Sequence, residues 1–233
     1  QDGTMKGIEE GIRLYESGRY AQAVNLLTGL DEPAGENPHL AYYLGLCYTR
    51  LEKYEDALLH LEQVVTNHVD FLHLYQCRML LAVIYSILER IPLAEYEINQ
   101  LVKAGYRSPQ VFSVYAYVLY EKNQIDQSLE YLREAAKMDP ENANILNSLG
   151  YIQAEQGRNL QEAEKNCRRA VDKQPENPAY LDSLGWVCYN QGKLEDAKRF
   201  LRRAKHLSGG HSLIKGHLNS VLEAADKQER KGS

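Results

Sequence analysis

A beat of about 34 residues runs through this chain and limits what it can fold into more than any other feature. Glycine or alanine returns at Gly11, Gly45, Ala82, Ala116, Gly150 and Gly185, at intervals of 34, 37, 34, 34 and 35 residues. A second small residue keeps step twelve or thirteen places later, at Ala23, Ala57, Ala94, Ser128, Ala163 and Ala197. Two small residues per period, each inside an apolar helical pattern, are what two helices need to cross closely. A fixed period of this length is the mark of a repeat array. In such an array each repeat touches only its neighbours, so the product is a surface rather than a catalytic pocket.

Each period reads as two helices. In the second, Pro38 opens a helix with Leu40, Tyr43, Leu44, Cys47 and Tyr48 on one side, and a partner from about Tyr54 turns Ala57, Leu58, Leu61, Val64 and Val65 inward. Spacings of three and four are the amphipathic signature. Gly18, Gly157 and Gly192 mark the turn inside three repeats, and Glu52, Glu89 and Asn123 take that place elsewhere. Asn37-Pro38, Ser108-Pro109 and Asn177-Pro178 are helix starts with proline at the first helical position. The expected boundaries are 4–37, 38–71, 75–108, 109–142, 143–177 and 178–211, with three extra residues absorbed around Leu72 to Leu74. Ser208-Gly209-Gly210 then breaks the array. A capping helix over 212–228 follows, with Leu213, Ile214, Leu218, Val221, Leu222 and Ala225 on one face and Lys215, Asn219, Glu223, Lys227 and Glu229 on the other. Apolar alternation with period two is absent, so no strands are expected. The fold class is therefore all-α, one elongated unit of six helix pairs closed by a capping helix.

These residues resemble the tetratricopeptide repeat family. The second repeat carries Leu44-Gly45, Tyr48, Tyr54, Ala57 and Leu61, and the sixth carries Leu184-Gly185, Gly192, Ala197, Leu201 and Ala204. The fourth ends with Ala135 and Pro140, the fifth with Ala170 and Pro175. The first, third and fourth depart from the pattern, with Glu10 in place of the leucine and Ala82 and Ala116 in place of the glycine. The resemblance implies a right-handed superhelical solenoid of six such pairs. Residues 146–151 and 180–186 are similar to the closing repeats of bacterial tetratricopeptide proteins, many of them envelope lipoproteins. That likeness implies a bacterial origin and a place in the periplasm or envelope. The cysteines point the other way: Cys47, Cys77, Cys167 and Cys188 lack CxxC spacing, read as buried free thiols and favour a reducing, cytoplasmic setting. A disulfide between Cys167 and Cys188 is the other reading of that pair.

Composition narrows the function classes. The net charge of -5 gives no reason to expect nucleic acid. No apolar run approaches the ~20 residues needed to cross a bilayer. No stretch reads as a signal peptide, and the chain opens on Gln1 rather than Met, so its start is expected to be processed or trimmed. Motifs for phosphate cradling, dinucleotide binding, a nucleophile elbow or a zinc-binding HExxH are missing, so neither an enzyme nor a cofactor is expected. His68 and His73 lie off the spacing a metal pair wants, and His206, His211 and His217 read as surface histidines rather than zinc ligands.

In the family the first helix of each pair lines a concave groove. The resemblance carries that groove onto Ile8 and Ile12, then His39, Tyr42, Leu46 and Thr49, then Gln76, Met79, Val83 and Ser86. It continues through Gln110, Ser113, Tyr117 and Tyr120, then Asn144, Asn147, Tyr151 and Ala154, and ends on Asp182, Trp186 and Tyr189. The binding candidates among these are Tyr42, Gln76, Tyr117, Tyr120, Asn144, Asn147, Tyr151, Asp182, Trp186 and Tyr189. Tyrosine and tryptophan give contact area with few rotors to freeze, and asparagine offers both a donor and an acceptor to a peptide backbone. The competing reading is that rings such as Tyr117, Tyr151 and Trp186 only pack between helices. Lys and Arg are missing from the places that hold a C-terminal carboxylate in some family members, which disfavours a chaperone-tail receptor. The expected function is a non-enzymatic scaffold holding a segment of another protein. A small-molecule or lipid-chain receptor and a self-assembling oligomer are the alternatives. Lys165, Arg168, Arg169, Lys173, Lys193, Lys198, Arg199, Arg202, Arg203 and Lys205 crowd the second helices of the last two repeats, as a solvated face or a contact for acidic partners or an anionic membrane surface. Membrane contact is expected only through that face or a removed lipid anchor.

Overall fold

The computed structural model describes the backbone of residues 2–232 and the side chains of residues 3–231. Its elements are thirteen α-helices, and no strand occurs among the described residues. The chain divides into two compact units, one ending at Arg107 and the other beginning at Ser108.

The first unit holds three helix pairs: α1 (Asp2–Glu16) with α2 (Tyr20–Thr28), α3 (Pro38–Arg50) with α4 (Tyr54–Asn67), and α5 (Leu74–Ile87) with α6 (Ile91–Lys103). The second holds α7 (Pro109–Glu121) with α8 (Ile125–Met138), α9 (Ala143–Glu155) with α10 (Leu160–Lys173), and α11 (Pro178–Asn190) with α12 (Leu194–Leu207). The single helix α13 (Ser212–Gly232) follows. The all-α repeat fold read from the sequence is what each unit shows.

Local chemistry sets the ends of these helices. Asn37 accepts from the backbone N–H groups of His39 and Leu40 at 3.0 and 3.1 Å, and Asn177 accepts from Ala179 and Tyr180 at 3.0 and 3.3 Å. Ser108 and Asn142 do the same for Val111 and Ile145. Each satisfies amides that the first turn leaves without a partner. The turn inside each pair needs one residue in the left-handed region. Gly192 takes it freely at φ 77°, while Glu52, Glu89 and Asn123 take it at φ 57°, 56° and 59°. The same hydrogen bond closes both kinds of turn: Lys193 N to Cys188 O at 2.9 Å, and Lys53 N to Tyr48 O at 2.9 Å. A side chain there costs ~1 kcal/mol, which the array absorbs at these three positions and again at Asn159, φ 48°, in the longer turn of the fifth repeat.

The small-residue beat marks the helix crossings. A Cβ on Gly45 would stand 2.6 Å from Leu61 Cδ2, and one on Gly185 would stand 2.6 Å from Leu201 Cγ. At Gly150 it would run into Cys167 Sγ and lie 2.7 Å from the Ala163 carbonyl oxygen. Ser128 replaces alanine in the second beat, and its buried hydroxyl donates to Ala116 O at 2.6 Å. All four cysteines are free and buried, so Cys167 and Cys188 are not joined. Burial pushes the Cys167 thiol up to about 12 and the Cys188 thiol up to about 11.

Helix α13 packs on α12 and α11, as α11 packs on α10 and α9. Leu218 and Val221 enter the core built by Leu184, Val187 and Leu201, and Ile214 joins Leu181 and Ala204. Its polar face, with Lys215, Asn219, Glu223, Lys227 and Glu229, is exposed. Leu213, read as part of the buried face, is half exposed instead.

Candidate functional site

In the second unit α7, α9 and α11 bring their groove-side residues to one face. The start of α13 closes the end of that face and leaves a cavity of 390 Å³. Tyr117 and Tyr120 of α7, Asn147 and Tyr151 of α9, and Asp182 of α11 line it, so five sequence candidates meet there. Ser113, Ser148 and Ser183 add hydroxyls. Leu132, Ile152, Pro178, Ala179, Leu213 and Ile214 supply an apolar surface, and Ser208 and His211 edge the mouth. The volume lies within the ~300–1,000 Å³ of ordinary ligand pockets.

Polar groups in this wall are placed unequally. Ser113 and Ser183 donate to their own helices, at Pro109 O (2.7 Å) and Ala179 O (3.0 Å). The Tyr120 and Tyr151 hydroxyls are hydrogen-bonded to each other, and burial drives both phenol pKa values upward. Asn147 Oδ1 is buried with no hydrogen-bond partner, a state that native interiors rarely tolerate.

Asp182 forms part of the floor, 4% exposed. His217 of α13 sets its Nδ1 2.9 and 3.0 Å from the two carboxylate oxygens. This corrects the sequence reading of His217 as a surface histidine: it is 7% exposed and stacks on Trp186 with ring centroids 4.1 Å apart. Trp186 also stacks on Tyr189 at 4.9 Å, and its indole N–H donates to Glu155. Trp186 and Tyr189 thus form a rim stack beside the cavity. Asn144 is exposed, and its Oδ1 accepts from the Tyr180 hydroxyl at 3.0 Å.

The first unit treats its candidates differently. Tyr42 stacks on His73, ring to ring at 4.8 Å and 4°, and meets Phe71 edge-on at 5.8 Å. Phe71 in turn meets His39 at 4.9 Å. Tyr42 is left 8% exposed, and burial is the main cause of its phenol being pushed up to about 12. Gln76 is half-buried with Oε1 unpartnered. Two other groove expectations are corrected by packing: Ile8 joins Leu27, Leu40 and Leu44 in a core, and Ala154 lies inside the core around Cys167.

Sequence reasoning missed the wall from His211 to Ile214 and the role of His217. One signal was available. A further interval of 35 from Gly185 lands on Ser220, inside α13, so α13 takes the place of the first helix of a seventh period.

The basic face of α10 and α12 is partly paired. Arg168 and Lys193 share Glu164, Arg169 and Lys173 share Glu141, and Arg199 meets Asp196. Among the described residues no cluster of His, Cys, Asp or Glu converges as metal ligands would, and no helix is long and apolar enough to cross a membrane.

The family profile described as tetratricopeptide repeat matches residues 8–68, 116–178 and 158–212. Together these spans exceed half of the chain, which belongs to that family, one of generally non-enzymatic interaction scaffolds. No curated protein matches the sequence. Among solved structures the chain is similar to one in the Cut9–Hcn1 hetero-tetramer of the APC/C, at TM-score 0.77 and 10% identity, over 94% of this chain and 43% of that one. It therefore spans less than half the length of that relative. A tetratricopeptide repeat protein from Parabacteroides merdae gives TM-score 0.67 at 14% identity, over 94% and 84% of the two chains. YrrB, described as a TPR protein with an unusual peptide-binding site, gives 0.55 at 17% identity over 78% and 91%. At these identities the likeness is one of fold.

Proposed function

We propose that the protein is a non-enzymatic scaffold that holds an extended segment of another protein on the α7–α9–α11 face. Tyr117, Tyr120, Asn147 and Tyr151 contact the segment, Asp182 braces the floor, and Asn144, Trp186 and Tyr189 form the rim. The observation that carries this reading is the cavity itself, walled by the rings of Tyr117, Tyr120 and Tyr151. Aromatic anchors in a desolvated site are where interface energy concentrates. YrrB, of the same fold, is described as having an unusual peptide-binding site, which supports the class of ligand. Tyr42 and Gln76 stay outside the principal site on this reading, since Phe71 and His73 already cover Tyr42.

The test compares Tyr151→Ala with Met79→Ala, each first shown to fold by circular dichroism. Tyr151→Ala is expected to weaken partner binding about thirtyfold, ~2 kcal/mol, and Met79→Ala to leave it near the parent value. The reverse pattern would place the site in the first unit.

We also propose a place in the bacterial envelope, on the likeness of residues 146–151 and 180–186 to closing repeats of bacterial tetratricopeptide proteins, many of them envelope lipoproteins. Fractionation that recovers it only with cytoplasmic markers would refute that assignment.

A further inference from the structure

We propose that the segment held on this face carries an acidic stretch beside the part seated in the cavity, and that the stretch docks on the cationic turn between α12 and α13. The inference rests on the peptide-holding role just proposed and specifies the charge of the segment and where that charge lands.

Charge distribution comes first. From Ala197 to Leu222 the sequence holds no Asp or Glu, but six Lys or Arg. Two of the six look back along α12 to partners of their own, Lys198 to Glu195 and Arg199 to Asp196, each at 2.8 Å. Arg203, Lys205 and Lys215 are exposed and form no ion pair among the described residues. Arg202, also exposed, adds only to the field on Glu195, which Lys198 already holds. A helix C-terminus attracts cations, and this accounts for Lys205 and His206 in the last turn of α12. It does not account for Lys215. That lysine sits in the first turn of α13, where the helix dipole disfavours a cation. An anion at the turn relieves both the lysine and the unpaired arginines.

Position ties this charge to the cavity. Ser208 and His211 edge the cavity together with Pro178 and Ala179, the first residues of α11. Ser208 Oγ accepts from His211 N at 3.2 Å, and Lys205 O accepts from Gly210 N at 3.0 Å, so the turn is held from both sides. A Cβ on Gly210 would stand 2.8 Å from Lys215 Cε and 3.1 Å from its Nζ, which puts the ammonium over that turn. A chain leaving the cavity past Ser208 and His211 therefore meets Lys215 and the end of α12. The far end of the face has the other sign. Glu155 closes α9, accepts from the Trp186 indole, and adds to burial in driving the Tyr120 and Tyr151 phenols upward. Acidic residues are repelled there and attracted at the turn, so the field sets the direction in which the segment lies.

The experiment uses the full chain and a phage-displayed decapeptide library panned in low salt, followed by synthesis of the selected peptides with both termini blocked. Trp186, the sole tryptophan, reports binding through its emission. Selected peptides are expected to carry Asp or Glu towards one end. Replacing those residues by Asn or Gln should weaken binding about tenfold, as the loss of two exposed ion pairs predicts, and high salt should erase the difference. The double variant Arg203→Glu/Lys215→Glu, shown to fold by circular dichroism, should weaken binding of the same peptides by a similar factor. It should regain affinity when their acidic residues are changed to lysine. Lys53→Glu, the same kind of charge change in the first unit, should leave binding at the parent value. Selected peptides without acidic residues, an acidic dependence that the double variant does not alter, or a need for a free C-terminal carboxylate overturns this inference. Where Tyr151→Ala still weakens binding in those cases, the peptide-holding role stands. Peptides indifferent to Tyr151→Ala, or no selected peptide at all, overturn that role as well. Vesicles of phosphatidylcholine and phosphatidylglycerol that bind the parent but not the double variant, with peptide binding the same in both, assign the turn to a lipid surface and also overturn the inference.

Discussion

Both units present tyrosines on the face made by their first helices, yet only the second keeps that face open. In the first, Tyr42 lies under Phe71 and His73, the residues that lead from α4 into α5. That connection runs from His68 to His73, and His68 Nε2 pins it 3.0 Å from Gly35 O. In the second, the connections from α8 to α9 and from α10 to α11 are four residues each, 139–142 and 174–177. Neither brings an aromatic ring over Tyr120 or Tyr151. The difference lies less in the groove residues than in the linkers. Extra residues at one junction let the chain cover its own aromatic site, and tight junctions leave the equivalent site for another molecule.

Removing α13 tests the open half most severely. Residues 211–233 supply Ile214, Leu218 and Val221 to the cores of the second unit, and each buried aliphatic side chain is worth ~1.5–3 kcal/mol. His217 would go with them, which leaves Asp182 without its partner and opens the face of α11 to water. The truncated chain should lose ~5 kcal/mol or more, with Trp186 emission shifted to the red at temperatures where the parent is folded. A truncated chain that melts like the parent would show that α13 is neither a brace nor a wall.

Next in size is a contrast between equivalent crossings. Gly150→Ala drives a methyl group against Cys167 Sγ and the Ala163 backbone oxygen, which cannot rotate away. Gly45→Ala meets the branched end of Leu61. Overpacking of this kind costs ~1–3 kcal/mol. Gly150→Ala is expected at the top of that range and Gly45→Ala at the bottom, by urea denaturation. Equal losses would mean that the two crossings yield alike.

How much of this was legible in the sequence differs by feature. The crossings were, because steric exclusion at Gly45, Gly150 and Gly185 leaves a periodic trace. The turns were too: Glu52, Glu89 and Asn123 sit at the register of glycines and adopt the same left-handed φ. The five cavity-lining candidates followed from carrying the family's groove positions onto that register. What stayed hidden depends on where a non-repeating segment comes to rest. Phe71 and His73 lie at the junction that takes the three extra residues, so no period predicts that they fold onto Tyr42. His217 sits on a helix that reads as a cap, and its pairing with Asp182 spans 35 residues. Periodicity encodes neighbours within the array and is silent about what the irregular pieces cover.

Phe71→Ala sharpens the comparison by uncovering the closed half. Phe71 is half-buried, so the loss should be ~1.5 kcal/mol, below that for a fully buried phenylalanine. The more telling readout is Tyr42. Its phenol stands at about 12 chiefly because it is desolvated. With Phe71 gone, water reaches the ring and the value should fall towards the ordinary 10, seen by NMR of ring-labelled tyrosine. A Tyr42 that still titrates at about 12 would mean that His73 and Tyr43 alone keep it dry.

The smallest effect separates the units by acid. Glu164 of the second unit is held down to about 2, first by Lys193 and then, against burial, by Arg168 and Gln191. Glu97 of the first unit accepts from Arg78 at 2.7 Å, yet its burial outweighs that partner and raises its carboxyl above 4.5. The signs are opposite. A lowered carboxylate contributes stability that is present above the unfolded value of 4.5 and is lost as pH falls towards 2. A raised one contributes below 4.5, and that contribution is lost as pH climbs through the folded value. The partners of Glu164 are nearly half exposed, so screening cuts its contribution to ~1 kcal/mol. Glu164→Gln should therefore destabilise by ~1 kcal/mol at pH 7, and the gap from the parent should close between pH 4.5 and 2. Glu97→Gln should not reproduce that closure, because burial raises the Glu97 carboxyl while the partners of Glu164 lower it. Urea titrations of the three proteins at pH 7, 4.5 and 3 decide it, and a constant deficit for Glu164→Gln across that range would show that its ion pairs are not what holds α10 to the α11–α12 turn.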